Sequence, residues 1–251
     1  MSHYPSMVVA YLVALGGWLV IHRLQPRLWP AAPAPRFAQP WRELGFAMLG
    51  AVGVLAVGQL WTRGIRLPER GPLRPLLGAV NQLAIFAPIL LVPLLRRHPW
   101  TTAWLPAPRL AARVGAGIAL AILAVTVYAL VREGAPAPWV VAGRLVRYQH
   151  LDELTQVLLE DLTIAILFVR CSTAVGSRWA VVIVAALFAA GHVPAMLAGG
   201  APLLELAGLL RDAGLGVAVI LVWRRSQDVM WFWWIHFAMD MTQFARVSGT
   251  G

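Results

Sequence analysis

Hydrophobic residues in this chain gather into long runs separated by polar, arginine-bearing loops. The runs cover Val8–Ile21, Leu44–Trp61, Leu76–Leu95, Leu110–Val131, Leu151–Cys171, Trp179–Leu197, Leu203–Trp223 and Val229–Phe244. Most reach the roughly 20 apolar residues that carry a helix across a bilayer core of about 30 Å. The pattern predicts an all-α polytopic membrane bundle of about eight transmembrane helices. The first run is preceded by no Lys or Arg and followed by no small-residue cleavage site, so it reads as a retained helix and not a signal peptide. Pro88 and Pro93 fall inside the third run and predict a kink there. The loop Arg132–His150 has room for a short interfacial helix near Trp139–Tyr148. The eighth run opens on Trp231, Phe232, Trp233 and Trp234, a composition expected of an aromatic belt at a membrane interface.

Composition agrees with this pattern. Of 251 residues 59% are hydrophobic and 13% charged, with a mean hydropathy of +0.70. A soluble domain carries about 25% charged residues, so about half of the usual surface charge is missing. The net charge of +10 raises the question of nucleic acid. All 21 basic residues are Arg, however, and most lie in loops. With no basic stripe interleaved with aromatics, they suit headgroup contact and topology control rather than a duplex. Cys171 is the sole cysteine, which excludes an internal disulfide. An Arg- and Ala-rich chain points to a GC-rich bacterial genome, and so to a bacterial plasma membrane.

Eight spans put both termini on one side. With the N-terminus outside, the cytoplasmic loops would hold twelve Arg: four in 23–42, four in 96–113, and the pairs Arg170/Arg178 and Arg224/Arg225. The opposite side would hold eight, with Arg211 inside a helix. The positive-inside rule therefore favours N-out. No inverted internal repeat of the kind common in transporters is present.

Against this apolar background, five ionisable residues stand out: Glu160 and Asp161 in the fifth run, His192 in the sixth, and His236 and Asp240 in the eighth. Ionisable groups at membrane depth are costly and face a polar interior. Glu160 and Asp161 are adjacent, so they lie about 100° apart on a helix. One can face a cavity while the other braces a neighbouring helix. The bland alternative is an acid pair tied to Arg170 or Arg211. Phe188 and His192 stand at i and i+4, as do His236 and Asp240, so each pair shares a helix face. Pro194 loosens the helix just beyond His192. Carboxylates and imidazoles from three helices are what a hydrolytic site needs, with an acid as general base for water.

These residues carry a resemblance. The chain resembles the CPBP family of intramembrane proteases, which includes the CAAX prenyl-protein endopeptidases and relatives linked to bacteriocin processing or immunity. That family shows Glu-Glu-x-x-x-Arg, then Phe-x-x-x-His, then His-x-x-x-Asn or His-x-x-x-Asp, on separate helices. Here the second motif is Phe188 to His192 and the third His236 to Asp240. The stretch Gly214-Leu-Gly216 through Trp223, with Met230-Trp231, is similar to the family's Gly-rich helix and turn before the final His. The first motif departs: Glu160 is followed by Asp161, and Ala165 takes the place of the Arg. Arg170 or Arg211 is the expected replacement cation.

The likeness spans about residues 110–246, which divides the chain into N-terminal helices and basic loops (1–109) and a catalytic core (110–251) within one compact bundle. It implies an intramembrane endopeptidase acting on a membrane-anchored or hydrophobic peptide or protein. Glu160 would activate water, assisted by His192, and His236 with Asp240 would orient the scissile carbonyl or stabilise the oxyanion, with Asp161 completing the site. Two His and the carboxylates would also serve as zinc ligands. The lack of a compact His-Glu-x-x-His helix favours a metal-independent glutamate mechanism instead. The alternative function is a catalytically altered member acting in binding or immunity, with a proton-relay transporter as a more distant third.

Overall fold

The structure is a computed structural model that describes residues 3–30, 35–105, 108–134, 137–145, 147–200 and 202–244. Among these residues all regular structure is helical. The helices are α1 (His3–Leu24), α2 (Pro40–Thr62), α3 (Arg74–Leu95), α4 (Leu110–Val131), α5 (Pro138–Leu145), α6 (Leu151–Val175), α7 (Ser177–Gly191), α8 (Val193–Ala198), α9 (Leu203–Trp223) and α10 (Val229–Phe244). Pro40 and Pro75 sit in the first turns of α2 and α3, where a missing N–H costs nothing. Pro88 and Pro93 lie within α3, which continues through both. The expected interfacial helix is α5 followed by a 3-10 turn at Tyr148–His150; Val146 between them lies outside the described residues, as does Pro33 of the first loop.

Among the described residues six helical segments are long and apolar enough to cross a membrane: α1, α2, Gly71–Leu95, α4, Ser177–Ala198 and Leu206–Trp223. The sequence pattern led to an expectation of eight. The two left out are α6, which carries Asp152, Glu153, Glu160, Asp161 and Arg170, and α10, which has 16 residues. At 1.5 Å per residue α10 spans about 24 Å. These two helices lie inside the bundle. α6 packs against α2, α3, α7 and α10, and α10 packs chiefly against α4 and α6, while α1 closes over α4, α9 and α10. The six outer segments can shield the polar side chains of the inner pair from lipid, which explains how charges and membrane-length helices coexist in one fold.

Burial revises the aromatic belt. Trp231 and Phe232 are buried and Trp233 and Trp234 half-buried, because α10 is an inner helix. Trp231 stacks on Trp18 at 4.9 Å and donates to Ser226 Oγ at 2.9 Å. The exposed tryptophans are instead Trp41, Trp139 and Trp179, each at or near a helix start.

The entry to α10 is fixed by a buried hub. Trp29 Nε1 and Arg113 Nη1 donate to Asp228 Oδ2 at 2.7 and 3.1 Å, and the Met230 N–H donates to Oδ1 at 2.8 Å. Trp223 Nε1 donates to the Asp228 carbonyl at 2.7 Å. Burial raises the Asp228 carboxyl above its ordinary value, and the Met230 N–H, Arg113 and Trp29 offset part of that rise. A carboxylate in this position also caps the N-terminus of the helix that follows.

α4 and α10 approach at backbone distance. A Cβ at Gly117 would lie 2.6 Å from the Trp231 carbonyl oxygen and 2.8 Å from its Cα. Gly115, two residues earlier on α4, has open space around it. Gly117→Ala is therefore expected to cost about 1–3 kcal/mol by overpacking, lowering the thermal midpoint in detergent by roughly 3–10 °C. Gly115→Ala should be neutral or stabilising by up to about 1 kcal/mol. Equal midpoints for the two variants would refute the backbone contact.

Candidate functional site

Glu160 and Asp161 diverge as adjacent helical residues must. Asp161 is fully buried and points at α10, where its Oδ1 lies 2.9 Å from His236 Nδ1. Glu160 is half-buried and turns to a cavity of about 490 Å³. Its Oε1 accepts from Gln156 Nε2 at 2.8 Å, and Gln156 Oε1 in turn accepts from Gln82 Nε2 of α3 at 3.2 Å. A chain of two amides thus positions the carboxylate from an outer helix.

The same cavity is lined by His192, His236 and Asp240. His236 Nε2 lies 3.7 Å from Asp240 Oδ2, one helical turn along. Potential ligand atoms of Glu160, His236 and Asp240 all fall within 4.8 Å of one another. His192 occupies the C-terminal cap of α7, where the helix breaks before Val193; the sequence pattern had run this helix on to Leu197. Pro194, two residues on, cannot supply the N–H that would continue the ladder. The break leaves the imidazole exposed at the cavity wall, with its Nδ1 3.0 Å from the Phe188 carbonyl.

A carbonyl can only accept, so Nδ1 of His192 carries the proton and Nε2 is left as the basic nitrogen. Phe188 sets the second edge of this arrangement. Its ring meets His192 edge-on at 5.0 Å and His236 at 6.3 Å. The five residues singled out in the sequence are therefore brought together. Four line one cavity, and Asp161 stands behind His236 and orients it, in the way a carboxylate behind a metal-binding or catalytic histidine fixes its ring.

Neither expected replacement cation reaches Asp161. Arg170 is fully buried but turns the other way, with Nη1 towards the carbonyls of Thr102 and Ile166 at 3.4 and 3.3 Å and its guanidinium over the Phe37 ring. Arg211 lies over the Tyr4 ring at 4.7 Å, and its neighbour Asp212 lines the cavity mouth. The imidazole of His236 takes the partner role instead, and Ala165 is packed in the core. Residues that sequence reasoning did not select also contribute. Tyr11 and Met7 of α1 form part of the cavity wall, and Gln156 and Gln82 hold Glu160. Gln156 was discoverable from its position four residues before Glu160 on the same helix face; Tyr11 and Gln82 had no such signal.

The donor set suits a divalent ion: two carboxylates and an imidazole converge, and the second nitrogen of that imidazole is engaged by Asp161. It equally suits a metal-free site in which Glu160 handles a proton beside two histidines. No family model, curated protein or solved structure matches this chain.

The Asp161–His236 contact is expected to behave as a coupled pair. Asp161→Ala and His236→Ala should each destabilise the protein in detergent, and the double variant should show a coupling of at least about 1 kcal/mol. Glu160→Gln, which alters a cavity-facing group, should stay within about 0.5 kcal/mol of wild type. Strictly additive losses in the cycle would show that the two side chains do not hold each other.

Proposed function

We propose that this chain is an intramembrane endopeptidase of the CPBP type, hydrolysing a peptide bond of a membrane-associated protein or hydrophobic peptide. The observation that carries the reading is the shared cavity: Glu160, His192, His236 and Asp240 line one space whose remaining walls are largely apolar. In this reading α6 and α10 also cross the bilayer as inner helices, making eight crossings in a bacterial plasma membrane.

Glu160 takes a proton from a water in the cavity, and the hydroxide adds to the carbonyl carbon of the scissile peptide. The Gln82–Gln156 relay holds the carboxylate for that step. His192, with Nδ1 committed to Phe188, uses Nε2 to align the water. His236 faces the carbonyl oxygen from its Nε2 side, and Asp161 fixes its ring while Asp240 acts through it. The proton held on Glu160 then passes to the leaving amine as the C–N bond breaks, restoring the carboxylate.

The convergence of Glu160, His236 and Asp240 favours a metal-dependent form as the second reading. Those residues would hold the ion, and the chemistry it supplies when bound is acidification of water and polarisation of a carbonyl. The departure from the family pattern at Asp161 and Ala165 does not argue for an inactive site, since Asp161 has a partner in His236.

The test uses the purified full chain in lipid vesicles with a quenched fluorescent peptide bearing a hydrophobic C-terminal anchor. Glu160→Gln and His192→Ala are expected to reduce cleavage at least about 100-fold without moving the unfolding midpoint. Loss of cleavage on chelation, restored by zinc, selects the metal-dependent form. A wild-type rate in Glu160→Gln would sink both forms of the proposal.

A further inference from the structure

A second cavity, of about 570 Å³, opens at the opposite end of the bundle from His192, where α2 begins and α3 ends. Its walls carry Arg36, Arg42, Arg96, His98, Glu43 and Thr101. The one acid is already engaged: Arg96 donates through Nε and Nη2 to Glu43 Oε1 at 3.0 and 2.7 Å. Glu43 Oε2 lies 3.6 Å from His98 Nδ1. Behind this wall stands Arg170, fully buried, with Nη2 3.5 Å from His98 Nδ1 and its Nε without a hydrogen-bond partner among the described residues. Three arginines thus line a space whose single carboxylate is already paired, with the Arg170 guanidinium buried behind its wall.

Buried guanidinium in apolar surroundings is costly unless anionic charge compensates it. Glu43 compensates only part. Burial lowers the His98 imidazole below its ordinary value, Glu43 opposes this, and Arg170 and Arg96 add to the lowering. The surplus positive charge of this wall is therefore carried chiefly by the arginines. Arg36 and Arg42 are exposed at the rim, where Arg42 Nη1 donates to Gln39 Oε1 at 3.1 Å. Arg42 and Arg96 also share the Phe46 ring as a cation–π partner, at 5.6 and 4.9 Å. Guanidinium groups present planar forked donors that match phosphate oxygens.

The location gives the ligand its chemistry. This end of the bundle bears the Arg-rich loops 23–42 and 96–113, the side that the positive-inside rule assigns to the cytoplasmic leaflet with its anionic lipids. We infer that the cavity is a binding site for a phosphate ester anion at the membrane surface, with Arg36, Arg42 and Arg96 as its recognition groups. The phosphate belongs to an anionic lipid headgroup or to a soluble phosphate compound. The inference is independent of proteolysis, since none of these residues lines the cavity of Glu160.

The experiment places the purified full chain in nanodiscs of phosphatidylcholine alone or with phosphatidylglycerol. Native mass spectrometry reads the lipid retained, and thermal unfolding reads stabilisation. Phosphatidylglycerol should be retained over phosphatidylcholine, and Arg36→Gln/Arg42→Gln should lower that retention about tenfold. The control Arg63→Gln/Arg66→Gln, in the loop after α2, should leave it unchanged. Retention that 10 mM inorganic phosphate does not displace assigns the site to a lipid headgroup. Stabilisation by inorganic phosphate in phosphatidylcholine discs, lost in Arg36→Gln/Arg42→Gln, assigns it to a soluble phosphate. Equal losses in both variant pairs, or no response to either anion, would overturn the site.

Discussion

The contact between Asp161 and His236 is the interaction on which the arrangement of this bundle rests. Each group alone would be a buried polar atom among aliphatic side chains, and each removes that cost for the other. Because Asp161 belongs to α6 and His236 to α10, satisfying both sets the rotation and height of two helices at once. The Asp228 hub fixes α10 at its start, so the helix is held at two points about two turns apart. With α10 fixed, Asp240 and the second imidazole nitrogen have no freedom to leave the cavity.

The protein divides its polarity by layer. Outer segments are nearly uniform in hydrophobicity and tolerate lipid on one side and protein on the other. Inner helices carry Asp152, Glu153, Glu160, Asp161, Asp240, His236 and Arg170, while His192 reaches the site from the end of α7. Close approach makes this layering possible, since α4 meets α10 where Gly117 lies against the Trp231 backbone. Large aromatic side chains fill what remains: Trp18, Trp29, Trp104, Trp223 and Trp231 are all buried.

Much of this was legible in the chain. The boundaries Leu110–Val131 and Leu203–Trp223 coincide with α4 and α9, because arginines and prolines end those runs abruptly. The helical spacing of Phe188 with His192, and of His236 with Asp240, foretold shared faces that the structure displays. What could not be read is which helices lie inside. A lipid-facing surface and a protein-facing surface are equally apolar, so periodicity carries little signal in such helices. That is why Trp231 and its neighbours looked like an interfacial belt. Partner choice was similarly hidden. Arg170 is nine residues from Asp161 in sequence, yet on a helix that is two and a half turns, and the side chain points to the far end of the bundle. Tyr11 and Gln82 come from helices whose sequences show only length and hydrophobicity, and their roles arise from packing alone.

The division of the polar set between α6 and α10 also has a consequence in time. Asp161 is synthesised 75 residues before His236, an interval of roughly 4–15 s at ordinary elongation rates of about 5–20 residues per second. Throughout that interval Asp161 lacks the imidazole that receives it in the finished fold. The constellation cannot assemble on a nascent chain, and whatever chemistry it performs is withheld until the protein has been built through its last described helix.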